Sequence, residues 1–131
     1  RLYHYLFQKT EQQVTVLYDL KGYDEISLTG PTKALSKNSE RVLTPADFGV
    51  ESLLATDISG GSNVASSAEI FMNVIQNKGT QAQQNVICAN AGMAIATALN
   101  LSPIEGFEKA KESLQSGKAL HALTTLQKLS L

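Results

Sequence analysis

A run of β-branched and aromatic residues from Val14 to Leu20 constrains the fold most, because much of the remaining chain has helical periodicity. Residues of these types favour strands. The run is apolar at both alternating positions, which is typical of a strand covered on two sides in the middle of an α/β sheet. Two strands are marginal even when paired. We therefore expect the neighbours of this strand to come from a longer polypeptide or from another copy of the chain.

The other elements follow from apolar spacing and from capping residues. Residues 30–43 are predicted to form a polar connection, in which Arg41-Val42-Leu43 is at most a short edge strand. Thr44-Pro45-Ala46-Asp47 predicts a helix start with Thr44 as the cap of the exposed amides. The end of a helix is predicted over residues 1–9, and further helices over 64–77, 81–100, from the Ser102-Pro103-Ile104-Glu105 capping box to Gly117, and 118–129. The helix over 81–100 is apolar nearly all round and is expected to be a central buried helix. The helix after it is expected to turn Ile104, Phe107, Ala110 and Leu114 toward the core.

Composition limits the class of protein. With 131 residues, 43% hydrophobic and 18% charged, the chain has room for one ordinary globular domain. The net charge of -1 and the lack of a basic stripe argue against nucleic acid as a partner. The longest apolar stretch, Val86 to Leu99, is too short and too polar to span a membrane. Without a leader, and with Cys88 as the single cysteine, we expect a cytoplasmic protein.

Asp24 and Glu25 place two carboxylates just after the predicted strand and before the Gly30-Pro31 turn. In open α/β sheets, ligands gather at the carboxyl ends of strands. Hard divalent ions prefer oxygen donors, and Mg²⁺ often takes one or two carboxylates and completes its shell with water and substrate phosphates. Taken alone, however, an acidic pair beside a glycine is more typical of a solvated turn.

Several separated motifs occur in an order that resembles one enzyme family. They are Asp24-Glu25-Ile26-Ser27-Leu28-Thr29-Gly30-Pro31-Thr32, Leu43-Thr44-Pro45-Ala46-Asp47-Phe48-Gly49, Gly60-Gly61, Ala65 to Ala68, Asn90-Ala91-Gly92 and Ser116-Gly117-Lys118-Ala119-Leu120. Together they resemble the anthranilate phosphoribosyltransferases of tryptophan biosynthesis, over the C-terminal part of that family only. The resemblance implies an α/β fold, namely the C-terminal part of a nucleoside phosphorylase/phosphoribosyltransferase-type catalytic domain, with one long strand, at most one short strand and mostly helices. Residues 1–131 would be a single partial domain.

The resemblance also implies a chemistry. Enzymes of this family transfer the phosphoribosyl group of phosphoribosyl pyrophosphate to anthranilate, and the acidic pair that matches Asp24 and Glu25 binds a Mg²⁺ that contacts the diphosphate. The complete enzyme is expected to be a homodimer. The glycine-rich phosphoribosyl pyrophosphate loop and the anthranilate-binding residues of the family have no match here, and the chain opens with Arg1 rather than Met. We therefore expect a segment that has little or no activity alone.

No catalytic residue is assigned within the chain. His4 and His121 lack a second ligand or base partner at suitable spacing, and Cys88 lacks a nearby histidine. Gly60-Gly61 has no preceding strand, so it predicts a turn before a helix rather than a phosphate cradle.

Two alternatives stay open. One is a fragment of a pyrimidine nucleoside phosphorylase-like enzyme, which has the same architecture and transfers ribose to phosphate. The other is a non-enzymatic helical interaction module that uses its unpaired strand and leucine-rich last helix for assembly.

Overall fold

The computed structural model describes residues 2–7, 9–37 and 39–130, without the side chain of His4. The elements in chain order are α1 (Leu2–Phe7), β1 (Thr15–Asp19), β2 (Thr32–Ser36), β3 (Glu40–Leu43), two 3₁₀ turns (Pro45–Phe48 and Ala55–Ile58), α2 (Val64–Ile75), α3 (Gln81–Leu99), α4 (Pro103–Gln115) and α5 (Lys118–Leu129). The predicted helices from residue 64 onward are confirmed to within two residues at each end. Arg1 and Gln8, at the two ends of the predicted first helix, lie outside the described residues.

The predicted polar connection over residues 30–43 is wrong in its first part, which contains β2, whereas the short edge strand predicted at Arg41-Val42-Leu43 is confirmed as β3. β2 pairs antiparallel with β1, from Thr15 opposite Ser36 to Asp19 opposite Thr32. It also pairs antiparallel with β3, so the sheet order is β1-β2-β3. β1 therefore finds one neighbour within this chain, contrary to the expectation that both would come from elsewhere. The sequence of β2, Thr-Lys-Ala-Leu-Ser, carries little intrinsic strand preference, and its central place between two partners compensates for this.

β1 is an edge strand in the described part of the chain rather than a middle strand covered on two sides. Thr15, Val16 and Leu17 are half-buried, and Tyr18 is 59% exposed. The edge of β1 that faces away from β2 has no strand partner among the described residues. An open edge with exposed apolar side chains is a surface on which a further strand can pair.

The core lies between the sheet and the pair α3 and α4. It consists of Ile26, Leu28, Ala34, Leu43, Phe48, Cys88, Ala89, Met93, Phe107, Ala110 and Leu114. The rings of Phe48 and Phe107 lie 6.4 Å apart between centroids, tilted by 54°. Because sheet, 3₁₀ turn and two helices contribute to one apolar cluster, burial fixes the sheet against α3.

Glycine allows α3 and α4 to approach each other closely. A Cβ atom added to Gly92 on α3 would lie only 2.7 Å from the backbone N and Cα of Phe107 on α4. Real Cβ atoms do not come this close to backbone, so α3 could not keep this position with any other residue at 92.

The caps of the helices follow the sequence with one difference. The Ser102 capping box is confirmed, since the Ser102 hydroxyl at 2.5 Å and the Ser102 amide at 2.9 Å both donate to the Glu105 carboxylate. The bond from the hydroxyl, and after it the bond from the amide, lowers the pKa of Glu105. At the first 3₁₀ turn the roles differ from the prediction. The Asp47 carboxylate accepts from the Thr44 amide at 2.7 Å and from the Thr44 hydroxyl at 2.8 Å. Thr44 therefore occupies the N-cap position, as predicted, but Asp47 three residues later supplies the accepting oxygen, and the bond from the Thr44 amide lowers the pKa of Asp47.

The prediction that α3 is buried nearly all round is wrong. One face of the helix, including Ala89, Gly92 and Met93, is buried, whereas Ile87 and Leu99 are 48% and 59% exposed. Ile104 on α4, which was expected to face the core, is 45% exposed, and Phe71 on α2 is 50% exposed. α5 has no buried residue. The sequence therefore supplies more apolar surface than the described residues cover.

Among the described residues, no single helix is both long and apolar enough to cross a membrane. Only α3 and α4 taken together meet that length and composition, and the chain bends by 116° between them.

We predict that Gly92→Ala lowers the free energy of unfolding by about 1–2 kcal/mol. Overpacking typically costs about 1–3 kcal/mol, while alanine in a helix recovers about 1 kcal/mol. Urea denaturation followed by circular dichroism would measure the difference. Gly60→Ala is the matched control, because a Cβ at that position meets nothing within 4 Å. Equal stability of the two variants would contradict the close packing of α3 on α4.

Candidate functional site

The predicted metal ligands lie on the loop that joins β1 to β2. Asp24 and Glu25 are both exposed. None of the hydrogen bonds and ion pairs found in the described part of the chain engages either carboxylate. The two acidic side chains are therefore available to a ligand, and the structure brings them no third acidic, histidine or cysteine ligand among its described residues.

This donor set fits Mg²⁺ of the loosely held kind. Two carboxylates offer four oxygens of the hard type that Mg²⁺ prefers. They do not form a closed cage, which suits an ion that keeps several waters and shares substrate phosphates. The residues present therefore fit the expected metal, with most of its coordination sphere left to water and substrate.

A buried carboxylate at the end of β1 organises the start of the loop. Asp19 is fully buried. Its Oδ1 accepts from the Lys21 amide at 2.7 Å, and its Oδ2 accepts from the Ser27 amide at 3.1 Å and the Ser27 hydroxyl at 2.8 Å. The Thr32 hydroxyl donates to the same Oδ2 at 3.3 Å. A single side chain thus ties together both ends of the segment that carries Asp24 and Glu25.

The residues after the acidic pair form a tight turn. The Ser27 hydroxyl accepts from the Thr29 amide at 3.0 Å and lies 2.9 Å from the Thr29 hydroxyl. Between them Leu28 takes a left-handed conformation, with φ of 59°, while its side chain is buried. A non-glycine residue in this region costs on the order of 1 kcal/mol or more and persists only where its surroundings impose it. The geometry agrees with Ser27 and Thr29 acting as turn-formers that fix the loop.

Asn90 on α3 binds the loop from the opposite side. Its Oδ1 accepts from the Ile26 amide at 2.9 Å, and its Nδ2 donates to the Ile26 carbonyl at 2.8 Å. The same Nδ2 donates to the Val86 carbonyl, one turn earlier on α3, at 2.9 Å. The Asn90 side chain has a fixed orientation, because its Nδ2 faces two carbonyl acceptors and its Oδ1 faces an amide donor.

The remaining residues considered from sequence lie away from this loop's contacts. Gly61 has φ of 91° just before the Asn63 cap of α2, which confirms the turn predicted for Gly60-Gly61. Cys88 is a free, buried thiol whose pKa is raised by burial. His121 is exposed on α5, as expected. The side chain of His4 lies outside what the structure describes.

Sequence reasoning missed Asp19 and Asn90. Asp19 ends a strand, where a carboxylate is normally solvated, and its partners are up to thirteen residues away. Asn90 stands 64 residues from Ile26. The only available signal was the Asn90-Ala91-Gly92 motif, which gave no indication of what the asparagine contacts.

Comparison with known sequences identifies the family. The sequence model of the glycosyl transferase family, a/b domain, matches residues 2–120. The chain therefore belongs to this family. It is 61% identical over 130 residues to an anthranilate phosphoribosyltransferase of Christiangramia forsetii, covering 99% of this chain and 39% of that protein. It is 57% identical over 131 residues to the one of Flavobacterium psychrophilum, covering 100% of this chain and 40% of that protein.

Solved structures share the fold. An anthranilate phosphoribosyltransferase from Saccharomyces cerevisiae in complex with PRPP and Mg superposes with a TM-score of 0.74 at 22% identity, over 84% of this chain and 33% of that one. The enzyme from Thermus thermophilus gives a TM-score of 0.74 at 23% identity, over 85% and 33%. The α/β class and the resemblance drawn from the motifs are confirmed. The chain spans about 40% of the length of the curated relatives it matches.

We predict that Asp19→Asn lowers the free energy of unfolding by about 2–3 kcal/mol, because hydrogen bonds to a charged group contribute about 1.5–3 kcal/mol and the new amide would point a donor at donors. Urea denaturation would measure the loss. Asp24→Asn is the matched control. It removes the same charge from the same loop, but at an exposed carboxylate, so its stability should equal that of the unsubstituted protein. A similar loss in both variants would argue against Asp19 as the organising residue.

Proposed function

We propose that this chain is the C-terminal part of the catalytic α/β domain of an anthranilate phosphoribosyltransferase. The observation that carries the proposal is the identity of 61% and 57% to relatives of that name over nearly the whole chain. In this proposal residues 1–131 are one partial domain that acts together with the remainder of the enzyme. Phosphoribosyl pyrophosphate and anthranilate are its substrates, and the reaction belongs to tryptophan biosynthesis.

Within the proposal, Asp24 and Glu25 hold Mg²⁺ beside the diphosphate of phosphoribosyl pyrophosphate. When bound, the ion supplies Lewis-acid stabilisation of the negative charge that gathers on diphosphate as its bond to the anomeric carbon breaks. The task of this chain is to keep two carboxylates at a fixed position at the end of β1. Charges placed in advance need little reorganisation during the reaction, which is how such electrostatic stabilisation lowers a barrier.

The loop geometry supports this role. On one side of Asp24 and Glu25, Asp19 binds the Lys21 amide. On the other side, Asn90 binds the Ile26 amide and Asp19 binds the Ser27 amide. Their carboxylates are exposed and engage none of the hydrogen bonds or ion pairs found in the described ranges. A solvated turn, the ordinary interpretation of an acidic pair, needs no buried carboxylate and no distant asparagine to fix its backbone.

The two alternatives from sequence are weaker. A pyrimidine nucleoside phosphorylase would have the same architecture, but the relatives quoted above are named anthranilate phosphoribosyltransferases. The interpretation as a non-enzymatic helical module does not explain why the loop between β1 and β2 is held in place by Asp19 and Asn90. A homodimer of the complete enzyme and a cytoplasmic location also belong to the proposal, the latter supported by the free thiol of Cys88.

Asp24→Asn tests the metal role. The test uses a chimera in which residues 1–131 replace the matching 39% of the Christiangramia forsetii relative. We expect the Mg²⁺ concentration for half-maximal turnover to rise by about 100-fold, since loss of even an outer partner of a metal ligand typically costs 10–100-fold. The KM for anthranilate should change less than about twofold, because uniform substrate binding is not affected. Steady-state kinetics over a Mg²⁺ series gives both values.

Asp57→Asn is the control for that experiment. Asp57 is also an exposed acid, but it caps a 3₁₀ turn by accepting from the Leu54 amide at 2.9 Å. Its substitution should leave the Mg²⁺ dependence unchanged. An unaltered Mg²⁺ dependence in Asp24→Asn would remove Asp24 from the site.

The 131-residue chain alone should show little or no turnover with both substrates and Mg²⁺, because in this proposal it supplies the two metal ligands and the remainder of the enzyme supplies the groups that bind the substrates. The same assay on the chimera should show turnover. Activity of the isolated chain near that of the chimera would refute the half-site interpretation.

A further inference from the structure

We infer that Asn90 is a positioning residue for the Asp24–Glu25 pair, acting from α3 through the backbone of Ile26. The inference rests on the proposed function, since it assigns Asn90 to the same metal site. The Asn90-Ala91-Gly92 motif alone did not indicate what the asparagine does, and this inference assigns it a function.

Asn90 controls two consecutive peptide groups. The Ile26 amide, bound by Oδ1 at 2.9 Å, belongs to the peptide that joins Glu25 to Ile26. The Ile26 carbonyl, bound by Nδ2 at 2.8 Å, belongs to the next peptide, whose amide at Ser27 is bound by Asp19 at 3.1 Å. The plane of the first of these peptides contains the Cα atom of Glu25, so fixing both planes gives that Cα a defined position next to the acidic pair.

The asparagine is itself held in place. Its Nδ2 also donates to the Val86 carbonyl at 2.9 Å, so the side chain is tied to its own helix. Next to it on the buried face, Ala89 and Met93 belong to the core. Because the Asn90 side chain is held against its own helix, the loop that it binds is fixed relative to the packed helix α3.

The far end of the loop is fixed independently of Asn90. The Leu20 amide donates to the Pro31 carbonyl at 3.0 Å, and the Lys21 amide donates to Asp19 at 2.7 Å. The exposed residues 23–25 thus lie between two anchors, of which Asn90 is the one adjacent to Glu25. Removing it should loosen the acidic pair while leaving the start of the loop in place.

The experiment uses the chimera with Asn90→Ala and Asn90→Ser. Serine is the milder change, because its hydroxyl can bond the Val86 carbonyl within the helix but is too short for Ile26. We expect both variants to raise the half-maximal Mg²⁺ concentration by about 10–100-fold, the usual cost of removing a partner that orients a metal ligand. The KM for anthranilate should stay within about twofold, and hydrogen exchange should quicken in the amides of residues 23–27.

Leu114→Ala is the matched control for loss of stability. Leu114 is a buried core residue on α4, so its truncation should weaken the fold without changing the Mg²⁺ requirement. If the Asn90 variants resemble Leu114→Ala, with lower stability and an unchanged Mg²⁺ requirement, the inference is wrong. Faster exchange of residues 23–27 without a change in Mg²⁺ dependence would also overturn it.

Asp24→Asn, run in parallel, separates failure of the inference from failure of the proposed function. If Asp24→Asn raises the Mg²⁺ requirement and the Asn90 variants do not, only the role of Asn90 is rejected. If Asp24→Asn leaves the requirement unchanged, the metal site itself is rejected, and the role of Asn90 falls with it.

Discussion

The hydrogen bonds of the buried Asp19 carboxylate are the constraint on which the candidate site depends. A fully buried carboxylate is costly unless donors satisfy it, and here two amides and two hydroxyls do so. All of these donors lie on the segment that follows β1. Satisfying the charge therefore requires the chain to fold back on itself, and this requirement places Asp24 and Glu25 at the outer side of the loop.

The helical half of the chain supplies the second constraint. Gly92 lets α3 lie directly against the backbone of α4 at Phe107, and Phe107 in turn packs on Phe48 beside the sheet. The position of α3 relative to the sheet is therefore set by core packing. Because Asn90 on α3 binds Ile26, the position of the surface loop depends on how α3 packs in the core. Asn90 therefore links the loop of the acidic pair to α3, as Asp19 links it to β1.

Local signals predicted the helices well and the sheet poorly. Ser102 and Glu105 predict the start of α4, because a capping box involves only four consecutive residues and can be recognised from local sequence. β2 was missed because its five residues have weak strand preference, and its stability comes from two partner strands that no local pattern reveals. The acidic pair could be proposed as metal ligands from its motif, whereas Asp19 and Asn90 could not, because their roles depend on contacts between distant parts of the chain. Tertiary contacts also decide which apolar residues are buried, so Ile104 was placed in the core incorrectly.

The edge of β1 that has no strand partner among the described residues lies next to the candidate site. β1 ends at Asp19, so a strand pairing along that edge would finish beside the loop that carries Asp24 and Glu25. Tyr18, exposed on β1, would be covered by the same event. About 60% of the length of the curated relatives lies outside the part that this chain matches, which is ample for such a strand. Under the proposal, this chain contributes a metal-binding loop fixed from within, and the remainder of the enzyme contributes the groups that bind the two substrates.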